Sequence, residues 1–298
     1  MANLKIIRTR IDSVASTRQI TSAMKMVSAA KLRRAQDAII NLRPYAEKLN
    51  LILESLSTSL KDDEDFVYTR EKDVINKVLL IVITSNRGLC GAFNTNVIKQ
   101  SIIIANEKYG NQLKNNNVDF FTIGKKGDDY LKKKNYKIVK GRNDLYEALT
   151  FENASSVATS VMEQFIAGEY DRVEIIFNQF KNAAVQVLTD EQFLPVKVKD
   201  EKEEDESILK TFTDYIYEPS KAEILKELIP RALKLQLYKA LIDSFASEHG
   251  ARMTAMHKAT DNATDMIKQL RLDYNKARQA SITNEILEIV SGANALRG

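Results

Sequence analysis

The side chains best placed for chemistry lie in Ser85-Asn86-Arg87-Gly88-Leu89-Cys90-Gly91, a segment that follows an apolar run and opens a helical pattern. Phosphate-binding loops occupy that position, because the first amides of a helix point outward and carry partial positive charge. The segment lacks the third glycine of a dinucleotide fingerprint and the Gly-Lys-Ser/Thr of a P-loop, so a tight strand-to-helix turn outweighs phosphate binding. Cys90, the single cysteine, would need a base to act as a nucleophile, and the only histidines, His249 and His257, sit in a distant C-terminal pattern. A packed turn cysteine is the better reading. The two histidines have no cysteine beside them, which does not suit zinc. Asp261 and Asp265 are one helical turn apart and would suit a cation or acid–base work, but a solvated helix face is the more frequent reason for such a pair. No catalytic residue, metal site or cofactor site is expected.

Two polar features suit binding instead. Residues 1–43 carry nine basic side chains (Lys5, Arg8, Arg10, Arg18, Lys25, Lys31, Arg33, Arg34, Arg43) against two acidic ones, Asp12 and Asp37. A basic rod of this kind calls for an acidic partner or a polyanion. Its charges are interleaved with apolar residues and no aromatic precedes Tyr45. A coiled-coil exterior, a track for acidic protein loops and a nucleic-acid surface therefore all remain open. Near the other end, Arg278-Gln279-Ala280-Ser281-Ile282-Thr283-Asn284-Glu285 interrupts an apolar stripe, and Arg, Gln, Thr and Glu so close together can make several directional hydrogen bonds to one partner loop.

The elements that must position these residues follow from the breakers. Seven of the ten glycines lie between Gly88 and Gly168, whereas residues 1–43 and 251–291 have neither Gly nor Pro. Long helices are expected at both ends, over 3–58 and 221–296, with an α/β domain between them. Leu32, Ala35, Ile39, Leu42, Ala46, Leu49, Leu53, Leu56 and Leu60 follow steps of three and four, a coiled-coil seam. Leu4, Ile7, Ile11 and Val14 form one earlier seam and Ile20, Met24 and Val27 another, with a phase slip between blocks. Pro44 should kink this helix or remove one of its hydrogen bonds. Pro219-Ser220-Lys221-Ala222-Glu223 offers a capping box for the C-terminal helix. Its stripe runs through Leu225, Leu228, Ala232 and Leu235, then Met256, Ala259, Ala263, Ile267, Leu270, Tyr274 and Ala277, then Ile282, Ile286, Ile289, Ala293 and Leu296. Pro230 and Gly250 are read as irregularities within it.

Between the helices, Val78–Ile83, Val118–Ile123, residues 136–139, residues 172–177 and one or two stretches within 185–198 read as strands. Helices are expected over about 92–108, in a short Lys-rich stretch, and from Asn153 or Ser155 to near Gly168. Alternation of this kind points to a mostly parallel, doubly covered sheet. The fold class is therefore α/β: a long antiparallel coiled coil of N- and C-terminal helices flanking a Rossmann-like α/β domain. The expected division is 1–60 coiled-coil helix, 74–199 α/β domain, 200–219 acidic linker and 220–298 coiled-coil helix. An unpaired apolar tip of the C-terminal helix would need a socket.

Bulk properties narrow the classes. Trp is absent and aromatics are 7%, which leaves little for a nucleic-acid stacking platform. One cysteine suits a reducing compartment. The longest apolar runs are far too short for a membrane span, and Lys5, Arg8 and Arg10 interrupt any signal-peptide core.

Three blocks resemble the gamma subunits of F-type ATP synthases. They are Ile11–Val14 with Thr17–Lys31, Ser85–Asn94, and Tyr274–Ala293, and the likeness runs nearly end to end with a weaker middle. Asn86 stands where Asp is usual. The resemblance implies a central-stalk rotor, non-catalytic in itself, that couples ion-driven rotation of a membrane ring to ATP synthesis or hydrolysis at alpha/beta sites. Implied partners are the alpha and beta subunits, the epsilon subunit and the membrane c-ring, with no nucleic acid and no membrane span. By that resemblance Arg278, Gln279, Thr283 and Glu285 form a catch against beta loops, with Arg252 and Met24 acting beside it. Arg33 and Arg34 meet acidic segments of the ring, and the apolar tip with Ile286, Ile289 and Leu296 sits in a bearing. A bacterial protein, peripheral on the cytoplasmic side of the cell inner membrane, is expected, and the solitary Cys90 argues against thiol regulation. Competing readings are a nucleotide-binding α/β enzyme with coiled-coil arms and a basic coiled-coil nucleic-acid binder.

Overall fold

A computed structural model describes residues 2–57, 67–70, 72, 74–196, 218 and 220–295. Expectations that fall on Leu60, the acidic run 200–206, Pro219 and Leu296 lie outside the described residues. The chain forms two compact units, one of Met1–Ala29 with Arg252–Gly298 and one of Ala30–Ala251. Helix α1 runs from Ala2 to Ser57 with Pro44 inside it.

In the larger unit the strands are β1 (Val78–Ile83), β2 (Val118–Ile123), β3 (Ile138–Gly141), β4 (Arg172–Phe180) and β5 (Gln186–Leu194). They form one sheet in the order β3-β2-β1-β4-β5. The first four are parallel, and β5 returns antiparallel to β4 as a hairpin. The expected one or two strands within 185–198 are thus one. Helices α2 (Phe93–Glu107), α3 (Gly110–Lys114), α4 (Lys125–Lys133) and α5 (Phe151–Ile166) connect them. The short α3 was not anticipated; five residues leave too little periodicity to read. Helix α5 begins earlier than Asn153, because Thr150 is the cap: its Oγ1 accepts the amide of Asn153 at 3.3 Å.

Every residue of β1 and β2 is buried, because both faces of these strands are covered. One face packs Leu79, Ile81 and Ile175 under α5 (Val157, Val161) and under Leu225, Ile229, Leu233, Leu237 and Leu241. Those five leucine and isoleucine residues belong to α6 (Lys221–Ala295). The other face packs Leu80, Val82 and Phe120 under Val97, Ile104 and Tyr109. At its start, the α6 amide of Glu223 donates to Ser220 Oγ at 3.2 Å, as the capping pattern predicts.

Buried carboxylates anchor the strand beginnings. Glu174 Oε1 takes the Lys108 ammonium and the Tyr109 hydroxyl. Asp119 takes Lys137 at 2.8 Å and the Tyr170 hydroxyl at 3.1 Å. Burial, reinforced by the neighbouring carboxylate, pushes both tyrosines well above their ordinary range. Each charge is compensated, as a buried carboxylate requires.

Asp243, on α6, is differently placed. It is 5% exposed, and burial pushes its carboxyl up to about 6, with Glu191 adding to the rise and Lys239 and Arg43 opposing it. A raised carboxyl stabilises the fold fully below the unfolded value near 4, and that contribution fades as pH rises through about 6. Asp243→Asn should therefore leave stability unchanged near pH 4 and raise it by about 2–3 kcal/mol at pH 7. Urea unfolding of both chains at the two pH values checks this; equal midpoints at pH 7 would refute it.

In the smaller unit the two helices run antiparallel. Thr260 Oγ1 donates to Thr21 Oγ1 at 2.9 Å, and Lys25 Nζ donates to His257 Nδ1 at 3.3 Å. The expected seam through Ile20 and Val27 is overturned, since both side chains are exposed. The buried positions are Thr21 and Ser28, which continue Ile7 and Val14 at seven-residue intervals without a phase slip. Their hydroxyls donate to helix carbonyls, Thr21 to Arg18 and Ser28 to Met24, so a polar side chain enters the seam already satisfied. Across the seam, Met256, Ala263, Ile267 and Leu270 are buried as expected.

Candidate partner-binding surface

The pairing of Thr21 with Thr260 and of Lys25 with His257 sets Ala2 level with about residue 279 of α6, since both helices rise about 1.5 Å per residue. The α6 turns beyond that level have no counterpart on α1, and residues 282–294 are all exposed. Ile286 and Ile289 are 54% and 71% exposed. This extension carries Thr283 and Glu285, both exposed, while Arg278 and Gln279 stand exposed at its base. Thr283 Oγ1 donates to the Gln279 carbonyl at 2.9 Å, and Ser281 Oγ donates to Glu285 Oε1 at 3.2 Å. The Arg278 and Gln279 side chains protrude from the same two turns. Four groups that donate or accept along definite directions are thereby offered together on two turns of one helix.

The other anticipated residues form separate stations. Met24 is half-buried beside the Lys25–His257 contact. Arg252 is 6% exposed, so the guanidinium is largely enclosed rather than displayed. Arg33 and Arg34 are exposed on α1. Leu296 lies outside the described residues. Sequence reading missed the Thr21–Thr260 contact and the His257–Asp261 pair at 3.4 Å. A strict seven-residue count from Val14 would have found Thr21.

The strand-to-helix loop is closed on itself. Ser85 Oγ donates to the Arg87 carbonyl at 2.7 Å, and the Ser85 amide donates to Asn94 Oδ1 at 2.9 Å. Cys90 is buried and accepts from Asn94 Nδ2 at 3.2 Å. The first amides of α4 are also engaged, Lys125 by Asn86 Oδ1, Lys126 by the Ser85 carbonyl and Gly127 by Thr84 Oγ1. Ser85 and Cys90 are thus packed in the turn, and the first amides of the neighbouring α4 serve the fold. Among the described residues no cluster of His, Cys, Asp and Glu has the make-up of a metal site.

Antiparallel helices with an exposed apolar end and a polar band below it are the features of a mechanical coupling subunit. The ATP synthase family model matches residues 3–296. ATP synthase gamma chains from Christiangramia forsetii and Flavobacterium psychrophilum are 57% and 59% identical, with all of this chain and all of each relative covered. A central stalk with c-ring from the Tetrahymena thermophila mitochondrial ATP synthase aligns at 25% identity and a TM-score of 0.57, covering 80% of this chain and 99% of that one. The rotor of the Euglena gracilis mitochondrial ATP synthase shares the fold at 22% identity and a TM-score of 0.66, covering 94% and 99%. The chain belongs to the ATP synthase family, among its gamma chains, which form the non-catalytic central-stalk rotor.

Proposed function

We propose that the chain turns inside a ring of alpha and beta subunits and couples ion-driven rotation of a membrane c-ring to their ATP synthesis or hydrolysis, with an epsilon subunit as a further partner. The observation that carries the reading is the α6 extension, where an exposed apolar tip sits above a polar band at Arg278, Gln279, Thr283 and Glu285. An apolar surface of that kind is covered in the working state. The band bonds beta loops, the tip including Ile286, Ile289 and Leu296 runs in a bearing, and Arg33 and Arg34 face acidic segments of the ring. Met24 lies where an added charge would disturb coupling, and the enclosed Arg252 supports the helix near it.

A rotor alters nucleotide affinity only by contacting the conformations of the beta subunits unequally. Chemistry therefore stays with the ring, and this chain supplies asymmetry. Along the chain, 1–60 and 220–298 serve as shaft, 74–199 as the domain facing the membrane ring and 200–219 as linker. No described helix is long and apolar enough to cross a membrane, and the gamma chains it resembles include bacterial ones. Peripheral attachment to the cytoplasmic face of a bacterial inner membrane accords with both.

Mixing the purified chain with alpha and beta subunits tests the reading. A single complex on size exclusion, with ATP hydrolysis that the chain alone lacks, is the expected result. A chain that stays apart, or that hydrolyses ATP unaided, would sink it.

A further inference from the structure

From Ala240 to Gly250, ten of the eleven α6 residues are buried and the other, Phe245, is half-buried, so the helix is enclosed on all sides. Enclosed helices are ordinarily apolar all round, yet this stretch holds Asp243, Ser244, Ser247, Glu248 and His249. Part of the enclosure is the β4–β5 hairpin. Its tip is rigid: Asn182 Oδ1 accepts the amides of Ala184 and Val185 at 3.0 and 2.8 Å, and Gln186 Nε2 donates to the Ala183 carbonyl at 3.2 Å. A Cβ on Gly250 would lie 3.2 Å from both the Cα and the carbonyl oxygen of Ala183. Those are backbone atoms, so no rotamer change relieves the contact. Gln236 ties the other end of the hairpin, its Nε2 donating to Glu191 Oε2 and to the Gln192 carbonyl, both at 3.3 Å. Fourteen residues separate the two ties, roughly 21 Å of helix.

We propose that Gly250 is a positioning residue: it seats the β4–β5 hairpin along α6, so that the α/β domain grips the shaft helix against twisting. The inference rests on the rotor reading and deepens it. The apolar contacts of Leu225 to Leu241 hold one side of α6, and a helix held along one side still yields to torque. Two ties spaced along another side resist that rotation. Loss of the seat leaves unloaded turnover intact and shows itself when the ring works against a load.

The test uses complexes assembled with wild-type, Gly250→Ala, Gly250→Val and Gln236→Leu chains. Hydrogen exchange over residues 181–187 reports the hairpin, ATP hydrolysis reports the unloaded motor, and single-molecule twisting reports shaft stiffness. Gly250→Val should speed exchange by about tenfold or more, keep hydrolysis within about twofold and lower stiffness by about half, with Gly250→Ala in between. Gln236→Leu adds no bulk at the Gly250 seat and should shift exchange and stiffness the same way. Stiffness equal to wild type with the hairpin released would overturn the inference. So would a valine that leaves the hairpin protected. Should Gly250→Val fail to fold, unchanged stiffness in Gln236→Leu overturns it alone. Failure of the wild-type chain to join the ring would instead remove the rotor reading and this inference together.

Discussion

Replacing Arg278 and Gln279 together with alanine should lower coupled ATP synthesis by at least about tenfold, with little change in the stability of the chain. The two side chains offer directional bonds, one of them charge-assisted, from a helix that needs no reordering to present them. Bonds to charged groups contribute about 1.5–3 kcal/mol each, and about 1.4 kcal/mol is a factor of ten in rate. The fold should not suffer, because both positions are exposed and alanine favours helix at least as strongly as either residue. Thr283 and Glu285 would remain, but each already makes one hydrogen bond within the helix, Thr283 Oγ1 to the Gln279 carbonyl and Glu285 Oε1 from the Ser281 hydroxyl, so they compensate only in part. The measurement is ATP synthesis by the reconstituted complex beside a thermal melt of the isolated chain. Synthesis at the wild-type rate would place the catch elsewhere, with the exposed Arg33 and Arg34 as the next positions to test.

The large divisions of the molecule are legible because they rest on composition over long windows. Two stretches without Gly or Pro became α1 and the distal part of α6, and six consecutive apolar residues became β1. The seam failed at Thr21 and Ser28 because a hydroxyl counts as polar in a periodicity count, while in a helix it can satisfy itself on the preceding turn. Ile20 and Val27 then looked like the better seam, and the phase slip followed from that choice. Burial of Arg252 and Asp243 was equally hidden. Each is a charged residue in a helical pattern, and only the enclosure of α6 by elements distant in sequence makes it internal. The candidate surface fared better than the seam because exposure beyond the end of a shorter partner helix follows from length alone. What length could not supply was its arrangement: Arg252 and Met24 stand apart from the polar band.

Gly124→Ala should be severely damaging to the α/β unit, destabilising it by more than about 4 kcal/mol. Gly124 joins β2 to α4 with φ at 101°, a backbone that side chains rarely adopt. Strain of that kind alone costs about 1–3 kcal/mol. The second cost is steric: a Cβ there would lie 2.0 Å from the Thr84 carbonyl oxygen and 2.6 Å from its carbon. Thr84 cannot retreat, because its amide donates to the Ile123 carbonyl at 2.7 Å and its hydroxyl accepts the Gly127 amide at 2.9 Å. Moving it would unseat the end of β1 and the Ser85 turn that encloses Cys90. Hence the change should raise the reactivity of Cys90 toward a thiol reagent as well as lower the urea midpoint. A control at Gly88, whose added Cβ would meet only the Lys126 side chain at 3.8 Å, should do neither, which separates a crowded crossing from a general intolerance of this loop.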